Sequence, residues 1–239
     1  MSAPYAAVPY AAALLDERTT PSRIVEGYAQ TRLRTPAEPL IRRAPTLGEL
    51  TAPGGLQRRL ALLGGDMAGQ GATRAQGLLI DLRVAVVDED GSPLPGAMVE
   101  VWQANAAGRY VHPNDDEHAP IDPNFYGAAR LLTGEDGRFT LRTVQPGAYP
   151  VPNTRGWWRP AHIHFSVWGR VWLSRLVTQM YFPGDPLLAQ DRIFQSVPDA
   201  AARSRLVCGL VPPLQGRPDA LVYEHRIVVR GSAATPHQD

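Results

Sequence analysis

From residue 77 onward, apolar residues occur in short runs that are separated by turn-forming residues. The first run, 77–88, ends at Glu89, Asp90 and Gly91. Further runs of strand-forming residues cover 97–103, 129–133, 138–143, 161–168, 173–182 and 220–230. Short runs rich in Val and Ile between turn residues are typical of β-strands. The pattern therefore predicts an all-β fold with a β-sandwich core, and the last run predicts its closing strand.

Two local signals refine this prediction. The runs at 129–133 and 138–143 flank the turn-forming residues 134–137, Gly-Glu-Asp-Gly, so we expect a β-hairpin there. Residues 198–208 begin with a proline and continue with Ala, Arg and Leu, which predicts the best helix of the chain. We therefore expect one or two short helices beside the sheets.

The first 75 residues have a different composition. They are rich in Ala, Pro and Arg, and they show only short helical possibilities, for example at 46–50 and 57–63. A segment of this kind seldom builds a core of its own. We expect residues 1–75 to form an irregular N-terminal arm, packed on its own domain or on a partner, and residues 76–239 to form the β-sandwich.

Composition excludes several classes of function. Of the 239 residues, 44% are hydrophobic, which allows a real core, and 22 glycines and 23 prolines suit many turns. A formal net charge of +1 gives no sign of nucleic acid or anionic membrane as a partner. The single Cys208 excludes an internal disulfide and a cysteine-rich zinc site. Without a signal sequence or an apolar run of ~20 residues, a cytoplasmic chain is expected.

The segment 147–165 concentrates the candidate chemistry, with Tyr149, Arg159, His162 and His164. Alternate residues of a strand share a face, so the two histidines can point the same way, although such a pair alone is more often structural. No Asp or Glu lies nearby in sequence to complete a site of two histidines and a carboxylate. The nearby candidates are tyrosines, whose phenols, with a pKa near 10, need a strongly acidic cation such as Fe(III).

A second segment, 99–126, contains Tyr110 just after the turn-forming residues 106–109. A lone tyrosine in such a place usually packs in the core with its hydroxyl satisfied. By itself Tyr110 therefore does not indicate a catalytic or metal-binding role.

Together the two segments resemble the intradiol ring-cleavage dioxygenases, and the resemblance covers roughly 77–230. The motifs that carry it are VEVWQANAAGRY at 99–110, DPNF at 122–125, PGAYP at 146–150, WRPAHIHF at 158–165 and TQMYFPGDP at 178–186. The resemblance implies a β-sandwich and cleavage of a catechol ring by O2 between its two hydroxyls. It also implies non-haem Fe(III), with the metal ligands Tyr110, Tyr149, His162 and His164.

The same resemblance implies roles for other residues. Arg159 would lie beside the substrate ring, Gln179 would form hydrogen bonds around the site, and Tyr149 would be the ligand that leaves when substrate binds. The implied pocket wall is Tyr28, Trp102, Val151 and Ile193, and for Trp102 plain core packing is an alternative. The remaining histidines, His112, His118, His225 and His237, match no ligand position.

One departure affects the expected substrate. Beta subunits of the family usually have Trp where this chain has Val151, so a wider pocket is expected. Only 12 residues separate Tyr149 from His162, and catechol 1,2-dioxygenases have a longer loop there. We therefore expect protocatechuate as substrate, and keep catechol or hydroxyquinol as the alternative.

The resemblance also implies a partner, a homologous alpha subunit in an αβ unit of a larger symmetric assembly. Apolar residues in the arm need a surface to cover them; they are Leu14, Leu15, Ile24, Val25, Leu40 and Ile41. Two other classes stay open, an iron-free structural subunit and a β-sandwich binding module. The presence of all four ligand types argues against the structural subunit.

Overall fold

A computed structural model describes residues 24–28, 38, 63–69, 73–112, 115, 119–168, 175–213 and 219–238. Its strands are β1 (Leu79–Val87), β2 (Met98–Trp102), β3 (Ala128–Leu132), β4 (Arg138–Val144), β5 (Tyr149–Pro150), β6 (Trp158–Arg159), β7 (His162–Trp168), β8 (Arg175–Tyr181), β9 (Gly209–Val211) and β10 (Leu221–Val228). Two four-stranded sheets have the orders β4-β1-β10-β9 and β3-β2-β7-β8, and β5 pairs with β6 in a separate ribbon. The predicted all-β sandwich is confirmed.

The first sheet is organised around β1, which is buried along almost its whole length. β1 runs parallel to β10, with Ile80 opposite Leu221, and antiparallel to β4, with Leu82 opposite Leu141. Its Ile80, Leu82, Val84 and Val86 share one apolar face, which must be covered by another layer of the protein. The inner side of this sheet shares one hydrophobic core with the second sheet.

The second sheet carries the candidate chemistry on β7, its third strand. Ile163, Phe165 and Val167 belong to the core between the sheets. Because side chains of a strand alternate between faces, His162 and His164 point to the opposite face. The register places Trp102 of β2 and Gln179 of β8 opposite His164, so three candidate residues lie in one row across the sheet.

The prediction of a β-hairpin at 134–137 was wrong. A tight turn is present, because Gly137 N donates to Gly134 O (2.9 Å) and Gly134 N donates to Arg138 O (2.8 Å). However, β3 pairs with β2 in the second sheet and β4 pairs with β1 in the first. The turn therefore carries the chain from one sheet to the other, and long-range pairing decided where each strand went.

Three short helical segments follow β8: a 3-10 turn at Pro186–Ala189, α1 at Arg192–Gln195 and α2 at Ala200–Ser204. The predicted helix at 198–208 is reduced to five residues, because Val207 forms a bridge with Tyr181 and β9 starts at Gly209. No sequence pattern predicted α1. In the described part of the chain, no helix is long and apolar enough to span a membrane.

Part of the expected N-terminal arm belongs to the sandwich. Leu63 bridges Arg130, Asp66 bridges Arg142, and Met67 is fully buried in the core. The helical possibilities at 46–50 and 57–62 lie outside the described residues, as do Leu14, Leu15, Leu40 and Ile41. The boundary at residue 75 stays a prediction.

Candidate metal centre

Two loops bring the tyrosines to the face of β7 that carries the histidines. Tyr110 follows the turn at Gly108, and Tyr149 follows Gly147 and begins β5. A Cβ added at Gly108 would lie 2.5 Å from Ala148 O, and one at Gly147 would lie 2.5 Å from Ala106 O. Real side chains do not tolerate such distances. The two glycines therefore allow the tyrosine-bearing loops to pack directly against each other.

Asn105 fixes the shape of the first loop. Its Oδ1 accepts hydrogen bonds from the backbone N–H groups of Ala107 and Arg109, both at 2.9 Å. Its backbone oxygen accepts from Gly147 N of the second loop, also at 2.9 Å. The loop that presents Tyr110 is thus held by one buried amide side chain and tied to the loop that presents Tyr149.

The four expected ligand side chains meet in one cluster. Tyr110 OH lies 3.5 Å from Tyr149 OH, 3.4 Å from His162 Nε2 and 3.1 Å from His164 Nε2. His162 Nε2 lies 3.3 Å from Tyr149 OH and 3.2 Å from His164 Nε2. Donor atoms that share one ion at about 2.1 Å lie roughly 3 to 3.5 Å from one another. The cluster thus has the dimensions of a single metal site.

Hydrogen bonding leaves one imidazole ready to bind a cation. His162 Nδ1 lies 2.7 Å from the carbonyl oxygen of Pro160, which can only accept, so Nδ1 carries the proton and donates. In the neutral ring, Nε2 then offers its lone pair to the cluster. Burial, and then the Arg159 cation, hold the pKa of His162 well below its usual range. The same causes lower the pKa of His164 to about 3, so both rings stay neutral.

The pKa values of the two phenols determine which kind of cation can bind to them. Burial raises the pKa of Tyr110 well above its usual value, and the neighbouring Tyr149 raises it further. Burial also raises the pKa of Tyr149, although Arg159 works in the opposite direction. A metal must displace these protons to bind, which favours a hard, highly charged ion. No three His, Cys, Asp or Glu residues gather as a metal site in the described ranges.

Arg159 lies at the side of this cluster and is only 1% exposed. It stands opposite Tyr149 in the β5–β6 ribbon. Its Nη2 donates to Gln179 Oε1 at 2.5 Å and to Tyr181 OH at 3.2 Å. The structure therefore brings Arg159 and Gln179 together beside the donor atoms. A surface position for Arg159, the usual one for arginine, is excluded by its burial.

Three of the four expected pocket-wall residues lie in one apolar cluster. Val151, Ile193 and Val25 pack around Trp157, and Tyr28 meets Trp157 edge-on with ring centroids 5.8 Å apart. Val151 is 4% exposed, so its small side chain is enclosed by neighbours. Trp102 stands apart from this cluster, and its ring stacks on that of His164.

The other histidines have different surroundings. His225 is buried in the first sheet and stacks on Phe165, while His237 Nδ1 accepts from Val177 N (3.3 Å). His112 is exposed in the loop after Tyr110, and His118 lies outside the described residues. None of the three that are described belongs to the donor cluster.

Sequence reasoning missed three polar or aromatic groups near the site. Tyr181 shares a strand face with Gln179, two residues earlier, so strand periodicity could have revealed it. Trp157 is one of two adjacent tryptophans, and the sequence does not indicate which is buried. Asp191 is 0% exposed, and its place beside Arg159 is a long-range contact that no local pattern signals.

Comparison with known proteins points to one family. Residues 61–231 match the sequence profile of a family described as dioxygenase. The chain is 45% identical over 218 residues to the protocatechuate 3,4-dioxygenase beta chain of Burkholderia cepacia, covering 90% of this chain and 92% of that one. It is 36% identical over 120 residues to a hydroxyquinol 1,2-dioxygenase of Rhizobium sp. strain MTP-10005, covering 46% and 39%. The structure of 3-chlorocatechol 1,2-dioxygenase from Rhodococcus opacus 1CP superposes with a TM-score of 0.52 at 27% identity, covering 67% and 62%.

Proposed function

Because this chain belongs to the intradiol ring-cleavage dioxygenase family, we propose that it is the catalytic beta chain of a protocatechuate 3,4-dioxygenase. It cleaves protocatechuate with O2 between the two hydroxyls and yields 3-carboxy-cis,cis-muconate. The observation that carries this proposal is the cluster of Tyr110, Tyr149, His162 and His164, whose donor atoms lie 3.1–3.5 Å apart. The choice of protocatechuate is supported by the 45% identity to the beta chain from Burkholderia cepacia over nearly the full length of both chains.

The cofactor of this proposal is non-haem Fe(III), held by the two phenolates and the two imidazoles. Two phenolates offset two of the three positive charges of the ion, which lowers the cost of burying it. Bound at these four residues, Fe(III) would supply the Lewis acidity that makes a catechol ring reactive toward O2. The raised phenol pKa values support this choice, since a strong Lewis acid displaces such protons more readily than a weak one.

Tyr149 is proposed as the ligand that leaves and takes a proton from a substrate hydroxyl. The family resemblance supports this role. Burial raises the pKa of Tyr149, so its phenolate would be a strong proton acceptor once released from a metal. Tyr110, whose backbone N–H donates to Asp115 Oδ2 at 2.7 Å, stays in place together with the histidines.

Arg159 is proposed to stabilise the negative charge that develops on the substrate ring. Its guanidinium is buried and oriented by Gln179 and Tyr181, so it needs no reorganisation during the reaction. A fixed cation in a site that excludes water stabilises an anion far more than it would in solvent. Removal of such a group typically costs ~10²-fold or more in turnover.

The partner of this proposal is a homologous alpha chain, as the name of the Burkholderia cepacia relative suggests. Apolar surface on the described residues supports it: Val111, Ile121 and Tyr126 are 57%, 64% and 70% exposed. Val111 directly follows Tyr110, so a chain that covered these residues would come close to the metal centre. Such apolar surface is common where another protein binds.

A steady-state assay tests the proposed substrate and reaction. The iron-loaded chain, coexpressed with its alpha homologue, is given protocatechuate, catechol and hydroxyquinol in turn, and O2 uptake and the product are measured. We expect the highest kcat/KM with protocatechuate and one O2 used per 3-carboxy-cis,cis-muconate formed. A preference for hydroxyquinol or catechol would assign a different substrate, and ring cleavage beside the two hydroxyls would contradict the reaction. His162→Ala is the inactive control.

A further inference from the structure

A fully buried carboxylate lies beside the buried guanidinium of Arg159. Asp191 is 0% exposed and Arg159 is 1% exposed. Arg159 Nε is 3.1 Å from Asp191 Oδ1. The N–H direction does not suit a hydrogen bond, so the contact is an ion pair. Two opposite charges buried this close together restrain each other, because either one left unpaired in the interior would be costly.

Asp191 is itself held by the main chain. It is the N-cap of α1, and its Oδ2 accepts a hydrogen bond from Phe194 N at 3.2 Å. Its own N–H donates to Leu187 O at 2.9 Å. Because backbone groups on both sides fix this residue, its carboxylate is a fixed point against which the long Arg159 side chain is held.

The same carboxylate also fixes an aromatic ring. Trp157 Nε1 donates to Asp191 Oδ1 at 3.1 Å. Trp157 is the centre of the apolar cluster that contains Val151 and Ile193, two of the expected pocket-wall residues. One oxygen atom of Asp191 therefore contacts both the cation proposed to act on the substrate ring and the indole behind the pocket wall.

The electrostatic setting keeps Arg159 charged. Burial on its own would lower the pKa of Arg159, but Tyr181 and then Asp191 raise it, and the net shift is upward. The neighbouring oxygens of Gln179 and Tyr181 accept hydrogen bonds from Nη2, whereas Asp191 faces Nε. The guanidinium is thus held at its Nη2 and at its Nε. Of the three residues that contact it there, only Asp191 carries a full negative charge.

We propose that Asp191 is a positioning residue, which holds the Arg159 guanidinium in the geometry that the reaction needs. This rests on the proposed function, in which Arg159 stabilises charge that develops on the substrate. Asp191 does not touch the substrate itself. Its effect on turnover therefore passes through Arg159, and this gives it a kinetic signature that a purely structural carboxylate would lack.

The first test is Asp191→Asn in the iron-loaded protein coexpressed with its alpha homologue. Asparagine keeps one oxygen, which can still accept from Trp157 Nε1, and it removes the charge that faces Arg159. We expect kcat for protocatechuate to fall by about 10²-fold, with KM and iron content little changed. The matched control is Asp199→Asn, because Asp199 caps α2 through Ala201 N (2.9 Å). That variant should keep the wild-type kcat.

A double-mutant cycle separates positioning from structural support. In an Arg159→Gln background, Asp191→Asn should lower kcat by less than about threefold, since the group through which it acts is already gone. An equal loss in both backgrounds would overturn the proposal, as would wild-type kcat in Asp191→Asn. If Asp191→Asn does not fold, Asp191→Glu takes its place, and wild-type kcat in that variant would overturn the proposal as well.

The unfolding temperature adds a readout that does not depend on catalysis. Arg159→Gln leaves Asp191 buried without its cation, so adding Asp191→Asn should raise the unfolding temperature of Arg159→Gln. A further drop would overturn the ion pair and the proposal with it. Failure of the proposed function would be recognised separately, as absence of ring cleavage in the wild-type protein.

Discussion

The indole of Trp102 lies flat on the imidazole of His164, with ring centroids 4.8 Å apart and an angle of 6° between the planes. The two residues are directly opposite each other in the β2–β7 register. A flat contact of this kind restricts rotation of the imidazole about its Cβ–Cγ bond. Trp102 was expected as pocket wall or core; its contact is with a proposed ligand, and the substrate-binding role stays a prediction.

We predict that Trp102 supports iron binding through His164. Trp102→Ala should lower iron affinity by about 10- to 100-fold, as is typical when a side chain that orients a metal ligand is lost, while Trp102→Phe should retain most of it. Iron retained after dialysis against a chelator measures this. Trp168→Ala is the control, since Trp168 is a tryptophan at the other end of β7, four residues after His164. Equal retention in Trp102→Ala and wild type would contradict the prediction.

Strand periodicity was enough to predict part of the site. The alternation of residues 161–168 placed His162 and His164 on one face, and the structure has them there, on β7. The tyrosines could not be placed in this way, because Tyr110 and Tyr149 are carried by loops whose approach depends on Gly108 and Gly147. Tyr149 was a candidate ligand because it is near the histidines in sequence, whereas only the family resemblance added Tyr110.

Long-range contacts were the main thing that the sequence did not reveal. The turn at 134–137 was recognised, but its flanking strands entered different sheets. A turn motif specifies the local backbone, whereas strand pairing depends on which apolar faces must be covered. The same holds for Asp191, which an N-cap pattern can identify, although its contact with Arg159 spans 32 positions of the chain.

A second prediction concerns the small residue Val151. Because Val151 is enclosed by Trp157 and Ile193, Val151→Trp should overpack the cluster and lower the free energy of unfolding by about 1–3 kcal/mol. Trp157→Val in the same chain should recover most of that loss. Denaturant unfolding measures both. A Val151→Trp variant as stable as wild type would indicate open space at this position, as the wider-pocket prediction from the sequence requires.

A third prediction concerns the pH dependence of stability. Burial lowers the pKa of His225 to about 4, below the ordinary value of 6.5. Between these values the unfolded chain binds a proton at His225 and the folded chain does not, so stability falls as pH drops from 6.5 to 4. Protonation of His225 in the unfolded chain should lower the free energy of unfolding by about 3 kcal/mol by pH 4.

His225→Phe isolates this contribution. As pH falls from 7 to 4, the wild type should lose more unfolding free energy than His225→Phe, which has no imidazole to protonate at this position. Effects of His162 and His164 occur in both proteins and cancel. His112→Phe, at an exposed position, should show no such shift. A difference that stays constant with pH would contradict a buried, neutral His225.

The central claim is that two tyrosinates and two histidines of this chain hold Fe(III). The visible absorption spectrum of the iron-loaded protein, coexpressed with its alpha homologue, tests it most directly. We expect a broad ferric-tyrosinate band that changes when protocatechuate is added, shifts in Tyr149→Phe and is lost with the iron in His162→Ala. A colourless protein with full ring-cleavage activity, or an unchanged band in His162→Ala, would contradict it.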